Sequence, residues 1–307
     1  MQILYGVVGG PYANVTTSPA AQRDLVFIPA TDTTRCKLFG VDPVPGKVKH
    51  VLLSDDCGVT RKLHVTQGGT LLYRNDAGAF DWGHDPWVTT RQRKHPDQIL
   101  AAVHASLDFA GNATGGLEAE FPEQVMIARF LDPEATVVEF GGNAGRSSLV
   151  AASLLSSDKR FVVFESDPVS AALLCRNRQA NGFGFQVVDA AVSKTPLFQC
   201  GWVVSPVQTA GAHRTRTTSL AEEAPHLVFD TVIADCEGAL TAIFRDFPDL
   251  VPPLGTVILE NDFTVPGDKE AVDAALQAAG LGVDYSQPGG WGVYRHKFFE
   301  VWRREKS

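Results

Sequence analysis

VVEFGGNAGRSS, residues 137–148, is the stretch whose reading decides the fold. A short apolar, β-rich run carries Glu139 near its end and gives way to a turn with glycines at 141, 142 and 145. A helix-compatible segment, Arg146 to Leu155, follows at once. Strand, tight turn and helix N-terminus in that order are what α/β folds use to hold a nucleotide-like ligand. The glycines permit positive φ and close backbone approach, and the start of the helix offers unpaired N–H groups.

The ligand follows from what the turn lacks. A dinucleotide fingerprint needs a second glycine where the backbone reaches a pyrophosphate, and a third where the helix packs on the sheet. Asn143 and Arg146 stand at those positions. Glu139 adds a carboxylate, which repels a diphosphate and suits a cation. S-adenosylmethionine (SAM) has no phosphate and carries both a sulfonium and an ammonium, so the E-x-G-x-N-x-G pattern reads as a SAM loop. A nicotinamide-dependent oxidoreductase is disfavoured by the same two residues.

Outward from this stretch, strands alternate with helices, which predicts a parallel sheet. The strands are expected at 136–140, 160–165, 185–189, 229–235 and 256–260. Helices are expected at 146–155, 168–180 (Asp167 as N-cap, Asn181-Gly182 as C-cap) and 268–279, with Gly280 closing the last. Two more strands, 282–286 and 297–302, flank Pro288-Gly-Gly-Trp-Gly292 and form a closing hairpin. The expected fold class is α/β: a doubly wound, mostly parallel, seven-stranded Rossmann-like sheet with a small N-terminal all-β domain. Residues 1–75 read as short strands (2–8, 24–28, 48–53, 62–65, 70–73) broken by Gly9-Gly10-Pro11, Pro43-Val-Pro-Gly46, Asp55-Asp56 and Gly68-Gly69, with no sustained helical periodicity. Residues 76–115 form a linker with a connecting helix from Pro96 to Leu107, and the main domain runs over 116–307, opening with a helix from Pro122.

Composition narrows the partners. At 307 residues and 44% hydrophobic content the chain can bury a substantial core. Its net charge of −8 argues against a polyanionic partner, so no nucleic acid is expected. The basic clusters Arg91–Arg93–Lys94 and Arg214–Arg216 are short and lack interleaved aromatics, as solvated loop charges do. Five cysteines, odd in number and free of any C-x-x-C pair, point to a reducing, cytoplasmic setting. No apolar run approaches the roughly 20 residues that span a bilayer.

In a doubly wound sheet, ligands sit outside the carboxyl ends of the strands. Glu139, Glu165, Asp189, Asp235 and Glu260 each fall at or beside such an end. Glu165 follows Gly145 by 20 residues, the spacing at which an acid accepts hydrogen bonds from ribose hydroxyls. Asp189 and Ala190 are placed to meet the adenine edge.

The segments VVEFGGNAGRSSLVAASLL, FVVFESDPVSAALLCRNRQANG, FQVVDAAVSK, RTRTTSLAEE, FDTVIADCEGAL and VILENDF come in the order and spacing of FkbM-type methyltransferases. Over roughly residues 117–302 the chain resembles that family of class I SAM-dependent O-methyltransferases, many of which act on sugar hydroxyls. Asn177 and Asn181, in an N-x-x-x-N helix end, pair with D-C-E-G in the same way. FPEQVMIARFL and GGWGVYRHKFFEVW are similar to a subgroup found in large DNA viruses and microbes, and FGVDPVPGKVKHVL resembles β modules attached to such enzymes.

The resemblance places Glu139, Gly141, Gly142, Asn143 and Gly145 around the methionine part of SAM. It places Glu165 and Ser166 at the ribose, Asp189 and Ala190 near adenine, and Asp235 at the donor and the reaction. Ala234 stands where the family has lysine and Leu240 where it has a second glutamate, so roles of those side chains do not carry over. Asp235 with Glu260-Asn261-Asp262 resembles the set by which catechol-type O-methyltransferases hold Mg2+. Two routes stay open: a divalent cation (Mg2+ or Mn2+) on Asp235, Glu260 and Asn261, or a metal-free reaction with Asp235, Glu237 or Asp262 as general base. The expected acceptor is a sugar hydroxyl, free or within a glycan, against which Trp291 and Tyr294 could stack. His296 is the one histidine placed near that loop. The rival from another class is a carbohydrate-binding or assembly protein whose methyltransferase fold has lost activity.

Overall fold

A computed structural model describes residues 2–18, 21, 25–28, 32–54, 60–63, 70–73, 96–113 and 115–304. The expected linker before Pro96 and the basic cluster at 91–94 lie outside the described residues.

The N-terminal part contains β1 (Gln2–Gly6), β2 (Tyr12–Asn14), β3 (Leu25–Ile28), α1 (Asp32–Phe39), β4 (His50–Ser54), β5 (Thr60–Leu63) and β6 (Thr70–Tyr73). An antiparallel sheet has the order β2-β1-β4-β5, and β3 pairs with β6. The expectation of an all-β domain is corrected here by α1. Its sequence, DTTRCKLF, has no apolar stripe at helical spacing, and it buries Thr34, Arg35 and Phe39. A helix that turns an arginine inward escapes a reading based on hydrophobic periodicity. Asp32 in its first turn accepts hydrogen bonds from the Tyr5 hydroxyl (2.5 Å) and pairs with the buried Lys49 (3.1 Å).

After α2 (Pro96–His104) and α3 (Phe121–Phe130), the chain enters the main sheet. The succession is β7 (Val137–Phe140), α4 (Arg146–Leu154), β8 (Phe161–Glu165), α5 (Pro168–Ala180) and β9 (Gln186–Asp189). A β excursion follows: β10 (Ala191–Val192), β11 (Leu197–Cys200), β12 (Val203–Ser205), β13 (His213–Thr215) and β14 (Thr217–Thr218). Then come α6 (Leu220–Glu223), β15 (Thr231–Ala234), α7 (Leu240–Asp246), β16 (Thr256–Glu260), α8 (Asp268–Ala278), β17 (Leu281–Gln287) and β18 (Phe299–Arg304).

The seven-stranded sheet has the order β17-β18-β16-β15-β7-β8-β9. Pairing is parallel from β16 through β9, while β18 runs antiparallel to both its neighbours. The doubly wound, mostly parallel sheet expected from the sequence is therefore present, with the hairpin closing one edge. Strand order reverses between β7 and β15, the switch point at which such sheets open a crevice.

Side-chain alternation splits the core between the two faces. Val137, Val163, Ile233 and Ile258 pack with α3 and α4 residues such as Met126, Ile127 and Leu149. Val138, Val162, Val232 and Val257 pack on the other face with Leu240, Ile243, Val272 and Leu276. Strands covered on both sides read as continuous apolar runs, which makes a charge inside one of them conspicuous. At the expected caps, the Asp167 side chain accepts from Ser170 N at 2.7 Å, and Gly280 takes φ +81° just past α8.

Candidate active site

Alternation also decides where the acids point. Residues 139, 165, 189, 235 and 260 are each an even number of positions from an apolar residue on the α3–α4 face: Val137, Val163, Val187, Ile233 and Ile258. Glu139, Glu165, Asp189, Asp235 and Glu260 thus fall on one face, at the carboxyl ends of five strands that are neighbours in the sheet. The other face carries none of them.

The turn between β7 and α4 is drawn tight against both flanking strands. Gly141 and Gly142 both donate to the Phe164 carbonyl (2.9 and 3.2 Å), and Gly145 donates back to Gly142 (2.7 Å). Gly141 has φ +90°, and a side chain there would collide with the carbonyl of Asp235 across the switch point. At Gly142 and Gly145 a Cβ would drive into Leu174, with Val163 also in the way at Gly142. Asn143 adopts φ +44°, a left-handed conformation unusual outside glycine. Its N–H donates to Glu165 Oε2 at 2.6 Å, while Glu165 Oε1 accepts from Asp167 N at 2.7 Å. Glu165 therefore braces the turn, and a carboxylate so engaged still has lone pairs to offer a hydroxyl.

Arg146 occupies the place of a packing glycine. It is 1% exposed, so a full guanidinium is buried at the first turn of α4. It donates to the carbonyls of Gly116 (2.8 Å) and Gly115 (3.0 Å), to Asn112 Oδ1 (2.8 Å) and to Glu120 Oε1 (3.0 Å). Those partners lie in the segment that leads into α3, which brings two further acids to the crevice.

Glu120 and Glu123 were not among the residues the sequence singled out. Glu123 is 5% exposed, and its carboxylate accepts from Ser147 Oγ at 3.0 Å. Carboxylate oxygens of Glu123, Asp235 and Glu260 lie within 4.8 Å of one another, close enough for one cation to touch all three. Asn261, expected beside Asp235 and Glu260 as a ligand, donates its Nδ2 to the Lys297 carbonyl at 2.5 Å, while its Oδ1, the atom a cation would take, is buried without a partner. A trace of Glu123 was visible in FPEQVMIARFL, where it sits in helical register with Ile127 and Phe130, an acid on the buried stripe.

Crowding of acids away from water raises their pKa values. Burial pushes Glu139 up to about 8, and the charges of Glu120 and Glu165 add to the rise. Burial together with Glu123 pushes Glu260 up to about 9, and burial with Glu237 takes Asp262 to about 7. Asp235 rises well above the usual carboxylate range through burial and then Glu260, and Glu123 through burial and then Asp235. Two oxygens in this group, Glu139 Oε2 and Asp262 Oδ2, are buried without a hydrogen-bond partner. The other oxygen of Asp262 accepts from Gly238 N at 2.9 Å, so this carboxylate bridges the loops after β15 and β16. Glu237, in the first of those loops, has φ +52°.

The remaining expected residues spread along the same edge. Asp189 is exposed at the end of β9, Ala190 is buried beside it, and Ser166 is half-buried after β8. At the other end, Asn261 N donates to the Phe298 carbonyl at 2.7 Å, which fixes the Gly-rich loop beside the end of β16. In that loop Trp291 is half exposed, its ring 6.3 Å from Phe298. The Tyr294 hydroxyl donates to Glu270 at 3.1 Å, and His296 lies in the short turn that precedes β18.

No family model matches the chain, and no curated protein matches it in sequence. Among solved structures, it is similar to the ribosomal protein L11 methylase of Lactobacillus delbrueckii subsp. bulgaricus (16% identity, TM-score 0.39, covering 60% of this chain and 77% of that one). It is similar to the methyltransferase FkbM of Methylobacillus flagellatus KT (9% identity, TM-score 0.40, covering 56% and 44%). A further similar structure is an O-methyltransferase from Bacillus cereus in complex with SAH (14% identity, TM-score 0.35, covering 70% and 91%).

Proposed function

We propose that the chain is a SAM-dependent O-methyltransferase whose acceptor is a sugar hydroxyl. The observation that supports it most is the bank of buried carboxylates on one face of the switch point, with Glu139 Oε2 buried and unpartnered. Unpaired acids in a dry crevice are costly, and a ligand that brings positive charge offsets that cost. SAM is such a ligand, and its donor set here is Glu139, Gly141, Gly142, Asn143 and Gly145 for the methionine end. Glu165 and Ser166 serve the ribose, and Asp189 and Ala190 the adenine.

When bound, SAM supplies an electrophilic methyl group on a sulfonium. The chain's part is to align an acceptor hydroxyl with it and to take up a proton. Of Asp235, Glu237 and Asp262, the last is best poised as base: its pKa of about 7 matches neutral conditions, and Oδ2 is free to accept. Asp235 is held well above the ordinary carboxylate range by burial and then Glu260, and positive charge beside it would favour its ionised form.

The metal-assisted route has its own supporting observation, the close approach of Glu123, Asp235 and Glu260. These three would hold a divalent cation, which would supply Lewis acidity toward the acceptor hydroxyl. Incubation with methyl-labelled SAM and a panel of sugars, with and without EDTA, tests both layers. Label transfer supports the reading, and loss of transfer in EDTA assigns the cation. Failure of SAM to bind in calorimetry would sink it.

A further inference from the structure

The N-x-x-x-N helix end is the one sequence motif that the crevice chemistry leaves without a task. Both carboxamides are buried at the end of α5. Each reads the backbone of one residue in the segment 108–112, which leads toward α3. Asn181 Oδ1 accepts from Asp108 N (2.8 Å), and its Nδ2 donates to Asp108 O (2.7 Å). Asn177 treats Ala110 in the same way, at 2.9 and 3.0 Å. The geometry explains the spacing: four residues of helix advance about 6 Å, and two residues of extended chain advance about 6.6 Å. Two asparagines in i, i+4 relation therefore clamp alternate residues of this segment through its backbone, without reading its side chains.

Each carboxamide makes a further bond: Asn181 Nδ2 donates to the Asn177 carbonyl at 2.8 Å, within the helix end, and Asn177 reaches out of it. Its Nδ2 also donates to the carbonyl of Ala144, inside the turn between β7 and α4, at 2.8 Å. One carboxamide thus joins the clamped segment to that turn. Two residues further along, Asn112 Nδ2 donates to Asn143 Oδ1 (3.1 Å), the residue with φ +44°, and Asn112 Oδ1 accepts from Arg146 (2.8 Å). The Arg146 guanidinium also lies 5.6 Å from the centre of the Phe109 ring. The turn is held from the sheet side by Glu165 and from the outer side by this strap.

We propose that Asn177 is a positioning residue: by fastening the strap 108–112 to Ala144 it fixes the left-handed Asn143 turn, and so sets affinity for the methyl donor. Asn181 fastens the same strap, and its bonds described above go to Asp108 and to the Asn177 carbonyl rather than to the turn. The proposal rests on the SAM reading for its ligand, whereas its mechanical half stands without it.

Amide hydrogen exchange on the full chain, wild type against Asn177→Ala and Asn181→Ala, tests the mechanical half. Asn177→Ala is expected to speed exchange at Ala110 and also at Asn143, whose own acceptor is Glu165 and is untouched by the substitution. Asn181→Ala is expected to speed exchange at Asp108 and leave Asn143 protected. Equal effects of the two variants on Asn143, or none from either, would overturn the coupling and leave Asn177 an ordinary fastening. Calorimetry with SAM tests the ligand half: Asn177→Ala should weaken binding about tenfold, the scale of one lost buried hydrogen bond, and Asn181→Ala should weaken it less. Unchanged affinity in Asn177→Ala overturns the proposal. Wild type that binds no SAM counts against the methyltransferase reading, and the exchange comparison then still judges the strap.

Discussion

The Asn143 N–H and the Glu165 carboxylate meet at 2.6 Å, tying the turn after β7 to the end of the neighbouring strand. One acid therefore supports the turn's left-handed residue and stands where a ribose is expected. Glu165→Ala should weaken SAM binding by roughly 1–3 kcal/mol, the range for lost charge-assisted hydrogen bonds. Isothermal titration reads this directly, and an unaltered affinity would remove Glu165 from the site.

Asp235→Asn should abolish methyl transfer while the fold survives. The substitution removes an ionisable group whose charge is opposed by burial and by Glu260. Thermal unfolding at pH 8 should therefore show no loss of Tm. Near-normal turnover would exclude Asp235 from the reaction.

The raised pKa values fix the sign of the pH dependence. An acid harder to ionise when folded binds its proton more tightly in the native state, so its contribution is fully present below the unfolded pKa. That contribution drains away as pH climbs through the folded value. With Glu139 at about 8 and Glu260 at about 9, the ligand-free protein should lose stability steadily from about pH 5 to about pH 9. Glu134, held low by Ser156 and Arg160, acts in the opposite sense under more acid conditions. Melting curves across that range, repeated on Glu260→Gln, provide the check: the variant should show a flatter profile. A wild-type Tm that rises toward pH 9 would contradict the buried-acid picture.

Gly145→Ala should be destabilising by about 1–3 kcal/mol, through positive φ and overpacking together. The glycine sits at φ +92° and its Cβ would strike Leu174. Pairing it with Leu174→Ala should recover donor binding in part if packing dominates. No recovery would locate the cost in the backbone. Denaturant titration and SAM calorimetry on both variants separate the two.

Much of this was legible beforehand because the main sheet follows local rules. Apolar runs marked the strands, Asp167 and Gly280 marked helix ends, and the acids at strand ends marked the crevice. Periodicity of two would even have placed all five acids on one face. Glu123 and Arg146 were harder to see, since their importance comes from contacts between distant segments: the α3 approach folds onto the start of α4. The short helix α1 was missed for another reason. It buries an arginine and a threonine beside Phe39, so its inward face has no apolar stripe at helical spacing. The excursion from β10 to β14 is made of two- to four-residue strands, too short for alternation to register.

Five acids on adjoining strands also act as a ruler. Neighbouring strands are about 4.8 Å apart, so the row from Asp189 to Glu260 extends over roughly 19 Å at right angles to the chain direction. A guest that touches the whole row must be elongated and lie crosswise. Methionine or adenosine alone would meet only part of it and hold weakly. Joined in one molecule they would bind far more tightly than either, because the second half arrives already tethered and loses its freedom of motion only once.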